Sequence, residues 1–144
     1  MFIKLLKKIK RIILPHWTDI NNDIYNYEKT KKILHMGPGL NKIKNTISID
    51  INSTTNPDFV WDLNKIPWPL ESNSIDAVIA MNVIEHLDDT TSVMKEIHRV
   101  SKINGVVNIL VPHFSDSAAF IDPTHKSFFS FSTLRFGHLL CIKT

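Results

Sequence analysis

The chain has 144 residues, 43% hydrophobic and 22% charged, enough for one domain with a single core. Its one cysteine, Cys141, excludes an internal disulfide framework and any cysteine-rich metal site, and makes a reducing compartment the default. The net charge of +3 divides unevenly: residues 1–44 carry ten Lys/Arg against three Asp/Glu (net +7), and the remainder seven against eleven (net −4). A basic leading segment is thus attached to a mildly acidic body.

Residues 1–14 predict a basic amphipathic helix. Phe2, Leu5, Leu6, Ile9, Ile12 and Ile13 recur at three- and four-residue spacing, and Lys4, Lys7, Lys8, Lys10 and Arg11 supply charge without one acid. Pro15 ends it. Such a helix suits the surface of an anionic membrane, and equally a packed helix with solvated lysines. Lysines interrupt the apolar stretch, no small-residue cleavage site follows, and no apolar run reaches the ~20 residues that span a bilayer. Residues 16–30 read as a connection, so the expected division is 1–30 and a domain over 31–144.

From Lys31 onward the pattern is α/β. Ile33–Met36, Thr46–Asp50 and Asp58–Trp61 are short β-type runs, whereas Ile75–Met81 and Val106–Val111 are near-continuous apolar runs, as strands covered on both faces require. Between the last two, a helix is predicted over about Thr91 to Lys102. Asp89 or Thr90 would cap it, Val93, Ile97 and Val100 would form its buried stripe, and Asn104-Gly105 would supply its left-handed stop. Strand, helix and strand of this kind make a parallel βαβ unit. Only ten residues, Met36 to Asn45, separate the first two strands, fewer than a helical crossover needs, so that connection should be a turn. The expected fold is a Rossmann-like doubly wound, mostly parallel sheet.

The glycine turn His35-Met36-Gly37-Pro38-Gly39 closes the first strand, and Asp50 ends the second. Gly37 and Gly39 let backbone approach a ligand, Pro38 stiffens the turn, and a strand-end carboxylate accepts from ribose hydroxyls. Asp62, after the third strand, is placed to accept from an adenine amino group, with Leu63 against the ring. Asp50 falls closer to the glycines than the ~20 residues usual for dinucleotide folds, which disfavours a nicotinamide.

Four segments, 34–52, 59–87, 93–115 and 122–130, together resemble a class I S-adenosylmethionine-dependent methyltransferase of the type 11 group, in its subgroup with a shortened glycine-loop connection. The resemblance implies S-adenosyl-L-methionine as cofactor, held by Gly37, Gly39, Asp50 with Ile51, Asp62 with Leu63, and Asn82 near its methionine end. It leans towards a small-molecule, glycan or lipid-precursor acceptor. Two residues depart from the pattern. His35 stands where an acid is common, and Pro38, lacking an N–H, stands where a small residue is usual. Relatives also continue with strands beyond the equivalent of Thr144, so the sheet is expected to be incomplete at its C-terminal edge, with an oligomer or partner covering it.

The stretch after the fifth strand, 112–125, falls at the carboxyl end of the sheet, where ligands bind. His113 and His125 are the candidate general bases, His113 first, with Asp122 or Asp116 as orienting carboxylate. The same set reads as a two-His, one-carboxylate metal site, ranked below both loop structure and base, and no resident metal is expected. His98 is placed on the exposed side of the helix, and His16 and His138 lie outside the motifs. Phe120, Phe128, Phe129, Phe131 and Phe136 are assigned mostly to the core. Two other readings stay open: a non-catalytic binding module of the same fold or a fragment of a longer enzyme, and a nicotinamide-dependent oxidoreductase. The basic residues lack interleaved stacking aromatics, so no nucleic-acid partner is expected. The expected location is cytoplasmic, peripheral to the inner membrane face if residues 1–14 engage lipid.

Overall fold

The structure, a computed structural model, describes residues 31–134. The predicted amphipathic segment, His16, Phe136, His138 and Cys141 lie outside the described residues. Five strands form one sheet: β1 (Ile33–Met36), β2 (Ile47–Asp50), β3 (Phe59–Val60), β4 (Ile75–Met81) and β5 (Ser101–Leu110). Their order is β3-β2-β1-β4-β5 and every pairing is parallel. The chain builds outward from β1 to β3, then returns to the far side of β1 for β4. That reversal puts a crevice at the carboxyl ends of β1 and β4.

Burial follows from the apolar runs. On one face Leu34, Met36, Ile49, Val78, Ala80 and Ile109 pack with Trp68 and the helix α1 (Thr90–Val100). On the other face Ile33, Ala77 and Ile79 form a smaller cluster with Ile43, Met81, Val106 and Leu110. Apolar side chains on both faces explain why β4 and β5 read as continuous rather than alternating.

The β1–β2 connection contains no helix, as its length requires. The Asn41 N–H donates to the Pro38 carbonyl (2.9 Å), and the Ile43 N–H donates to His35 Nδ1 (3.3 Å). His35 is thereby tied to the connecting loop, and burial lowers its pKa to about 4. Elsewhere sharp turns fall to asparagine: Asn45, Asn56, Asn73, Asn82 and Asn104 all have positive φ. Asparagine tolerates that region better than other residues with a side chain, which suits a sequence holding four glycines.

Helix α1 starts as predicted. Asp89 Oδ1 accepts from the Thr91 and Ser92 N–H groups, and Ser92 Oγ donates to Asp89 Oδ2 (2.6 Å). Its end differs from the expectation. The helix stops at Val100, and β5 begins at the next residue. The carbonyls of Arg99 and Val100 accept from Asn73 and Ser74, and Ser101 Oγ donates to the Ile97 carbonyl (2.7 Å), so no left-handed stop is needed. Asn104-Gly105 lies instead in an irregularity of β5. Ile75 faces Ser101 but Ala77 faces Val106, so three extra residues bulge from the edge strand.

The buried stripe of α1 includes Val93, Ile97 and Val100 as expected, and also Glu96. Glu96 Oε1 accepts from the Trp68 N–H (2.7 Å), and the Arg99 guanidinium grips both Glu96 oxygens (2.9 and 2.6 Å). Arg99 also donates to the Leu70 carbonyl (2.9 Å), the Trp68 carbonyl (3.3 Å) and Ser72 Oγ (3.1 Å). This bidentate fork staples residues 68–72 to the helix. His98 is half-buried, with its Nε2 enclosed, not on the exposed side. Of the aromatics assigned to the core, Phe129 is buried, but Phe120, Phe128 and Phe131 are exposed. The helix α2 (Ala118–Ile121) is a single turn that buries only Ala119, too little surface to cover them.

Candidate functional site

One half of the crevice is built from the ends of β1 and β2. Gly37 has φ +52° and donates to the Ile49 carbonyl (2.8 Å); a Cβ there would stand 2.5 Å from Val83 Cγ2. Gly37 is thus required by the close packing of the β4 exit on the turn. Gly39 also has φ +52°, but a Cβ there would meet nothing within 4 Å. Its backbone borders open space, where a ligand can lie.

Asp50 is buried at the end of β2. Its Oδ2 accepts from the Gly39 N–H (2.8 Å) and its Oδ1 from the Asn52 N–H (2.8 Å). The carboxylate therefore fixes the glycine turn and keeps lone pairs over for other donors. Ile51 follows with 69% of its surface exposed. Asp62 is half-buried, with Oδ1 accepting from the Asn64 N–H (3.0 Å). Leu63 departs from expectation: its side chain is in the main core, so the exposed apolar face on this side is that of Ile51. Asn82 is exposed, with φ +49° and its N–H donating to the Leu110 carbonyl (2.8 Å), which makes it first the turn that ends β4.

The other half lies at the ends of β4 and β5. His113 is exposed just beyond β5. Its Nδ1 is 2.7 Å from Ser115 Oγ, its ring lies against Phe114, and its backbone bridges to Phe129. Neither expected orienting carboxylate hydrogen-bonds it. Asp116 accepts from the Ala118 N–H (2.9 Å) at the start of α2. Asp122 accepts from Thr124 through its backbone N–H (2.8 Å) and hydroxyl (2.6 Å), which lowers the Asp122 pKa. The aspartates are occupied by local turns because each sits two residues before a free N–H.

His125 has the turn expected of it, its N–H donating to the Asp122 carbonyl (3.3 Å), yet its ring has a second setting. It meets the His86 ring edge-on at 4.7 Å, and its Nδ1 is 2.9 Å from the Ala119 carbonyl. Beside them lies Glu85, with 1% of its surface exposed and neither carboxylate oxygen hydrogen-bonded among the described residues. Burial raises the Glu85 pKa. One ligand atom each from Glu85, His86 and His125 lies within 4.8 Å of the other two. The two-His, one-carboxylate set is therefore His86, His125 and Glu85, in place of His113, His125 and an aspartate.

Residues 40–109 match the sequence model of a methyltransferase domain family. The match takes in Asp50, Ile51, Asp62, Leu63 and Asn82 and begins one residue after Gly39. Among solved structures, an S-adenosylmethionine-dependent methyltransferase from Archaeoglobus fulgidus superposes with a TM-score of 0.71 at 20% identity, over 85% of this chain and 65% of that one. The YcgJ protein from Bacillus subtilis gives 0.65 at 15% identity, over 85% and 66%. A Haloferax volcanii protein solved in complex with the Trm112 methyltransferase activator gives 0.64 at 18% identity, over 85% and 66%. The chain thus spans just under two thirds of the length of these structures. No curated protein matches the sequence. The resemblance read from the sequence is borne out by the methyltransferase-domain match and by the fold these structures share, five parallel strands with the glycine turn at the switch point. Among the described residues no helix is long and apolar enough to cross a membrane.

Proposed function

We propose that the chain binds S-adenosylmethionine across the β1–β4 crevice and transfers its methyl group to a small-molecule, glycan or lipid-precursor acceptor. The observation that carries this reading is the Asp50 carboxylate, hydrogen-bonded to Gly39 at the switch point and lying within the matched methyltransferase segment. In this reading the ribose hydroxyls donate to Asp50, the adenine lies along Ile51 and Asp62, and the methionine end runs past Gly39 towards Asn82. Methyl transfer from a sulfonium is an in-line displacement, so the chain's work is to position the acceptor and exclude water. His113, exposed at the end of β5, takes the proton if the acceptor is a hydroxyl. The exposed rings of Phe114, Phe120 and Phe128 offer an apolar rim for such an acceptor.

Calorimetric titration with S-adenosylmethionine and its demethylated product tests this. Asp50→Ala should weaken binding by about 1.5–3 kcal/mol, the usual size of hydrogen bonds to a charged group. Unchanged affinity in that variant, or saturation by a nicotinamide dinucleotide instead, would overturn the assignment. The basic segment 1–14 is read as a peripheral anchor at the inner membrane face. Its deletion should remove salt-sensitive binding to anionic vesicles and leave cofactor affinity intact.

A further inference from the structure

The geometry points to a divalent transition-metal site formed by Glu85, His86 and His125, at the acceptor end of the crevice and apart from the cofactor contacts. Three features combine here. The first is Glu85: a carboxylate with both oxygens buried and unpartnered is costly unless a cation compensates it. Among the described residues no lysine or arginine forms an ion pair with it. The nearby Lys126 pairs with Asp88 (2.6 Å), and what Lys126 and Ser127 give Glu85 is two backbone N–H donations to its carbonyl.

The second feature is the state of the imidazoles. Thr124 has one hydroxyl hydrogen, and it goes to Asp122 Oδ1 (2.6 Å), a pure acceptor. The contact between Thr124 Oγ1 and His86 Nδ1 (2.9 Å) must then be an Nδ1–H donating to the oxygen. His125 Nδ1 likewise faces a carbonyl, which only accepts, and so carries hydrogen too. In the neutral form both rings therefore present a bare Nε2 lone pair, the orientation that metal-binding histidines acquire from a partner on their other nitrogen. Asp122–Thr124–His86 is such a chain.

The third feature is spacing. Ligand atoms about 2.0–2.2 Å from a zinc ion lie roughly 3.4 Å apart in a tetrahedron. The observed spread of up to 4.8 Å closes with about 1 Å of side-chain movement. Two imidazoles and one carboxylate suit Zn²⁺, Co²⁺, Fe²⁺ or Mn²⁺ rather than Mg²⁺ or Ca²⁺, which prefer oxygen. Three protein ligands also leave positions for water or an oxygen of the acceptor. The ion would clip the loop after β5 to the exit of β4.

The test uses the full chain, stripped with a chelator and titrated with Co²⁺ while its visible absorption is followed. The expected result is one saturable Co²⁺ equivalent, displaced by Zn²⁺ and lost in His86→Ala and His125→Ala. Glu85→Gln should weaken binding by more than the ~10–100-fold lost when a residue that only supports a ligand is removed. In metal-free protein, Glu85→Gln should melt at or above the parent temperature, because it fills the same space without charge; this shows that the variant folds. Zn²⁺ should raise the melting temperature of the parent and leave Glu85→Gln unmoved. Retention of the Co²⁺ band in all three variants would overturn the site, as would the absence of any saturable band in the parent. Neither readout involves a methyl donor, so this failure and a failure of the transferase reading are distinguishable.

Discussion

The two halves of the crevice, that at β1 and β2 proposed for the cofactor and that at β4 and β5 proposed for the acceptor, are made differently. At the ends of β1 and β2 the polar groups are satisfied: Asp50 accepts from Gly39 and Asn52, and His35 accepts from Ile43. At the ends of β4 and β5 a buried carboxylate has no hydrogen-bond partner among the described residues, and aromatic rings stand in the open, Phe120 and Phe128 stacked at 4.9 Å. A fully bonded half is preorganised for one ligand and needs little rearrangement to bind it. A half with unspent polar capacity and exposed apolar surface is where the remaining partners must bind. The invariant chemistry of a cofactor suits the first construction, and the particular chemistry of an acceptor suits the second.

Substitutions in each half can break or sharpen this contrast. The largest expected effect is in the acceptor half. With an acceptor hydroxyl, His113→Ala should slow single turnovers by about 10²–10⁴-fold with cofactor affinity unchanged. A normal rate would mean that positioning alone carries the reaction.

In the cofactor half the largest effect is on pH-dependent stability. The His35 pKa is depressed from 6.5 to about 4, so the unfolded chain binds more protons than the folded one between those values. Stability should therefore be full above about pH 6.5 and fall as pH drops towards 4, by up to about 3 kcal/mol. His35→Gln keeps an acceptor for Ile43 and should flatten that slope in urea unfolding measured at several pH values. An equal slope in both proteins would show that His35 is not the group responsible.

The two glycines separate packing from ligand space. Gly37→Ala should cost about 1–3 kcal/mol of stability, since positive φ and the approach to Val83 both oppose a Cβ. Gly39→Ala carries only the conformational part, about 1 kcal/mol, yet should weaken S-adenosylmethionine binding more than its stability loss accounts for. Equal losses of stability would remove the distinction drawn between them.

The arrangement at the ends of β1 and β2 was more legible in the sequence than that at the ends of β4 and β5, and the reason is physical. Gly37, Gly39 and Asp50 do their work through backbone conformation and strand ends, and these leave local marks: a glycine pair, an apolar run and its terminal acid. The parallel sheet and the helix-free β1–β2 connection were legible for the same reason. The Glu85–His86–His125 cluster depends on a loop folding back so that residues 39 apart in sequence meet. Its one local sign was a charged pair, Glu85-His86, directly after Ile84 and before Leu87, at a place where apolar residues bury. Leu63, His98 and the exposed phenylalanines were misplaced because side-chain burial there is set by which neighbour arrives, not by periodicity. The end of α1 was misread for a related reason, since Asn73 and Ser74 come from a distant turn to take its last carbonyls.

The Arg99 fork also has a kinetic consequence. By holding the Trp68 and Leu70 carbonyls while Glu96 holds the Trp68 N–H, it makes residues 68–72 part of the same cooperative unit as α1. This stretch follows directly on the Asp62 loop and would otherwise be a surface connection free to breathe. Its amide hydrogens should exchange with solvent only when the helix itself lets go.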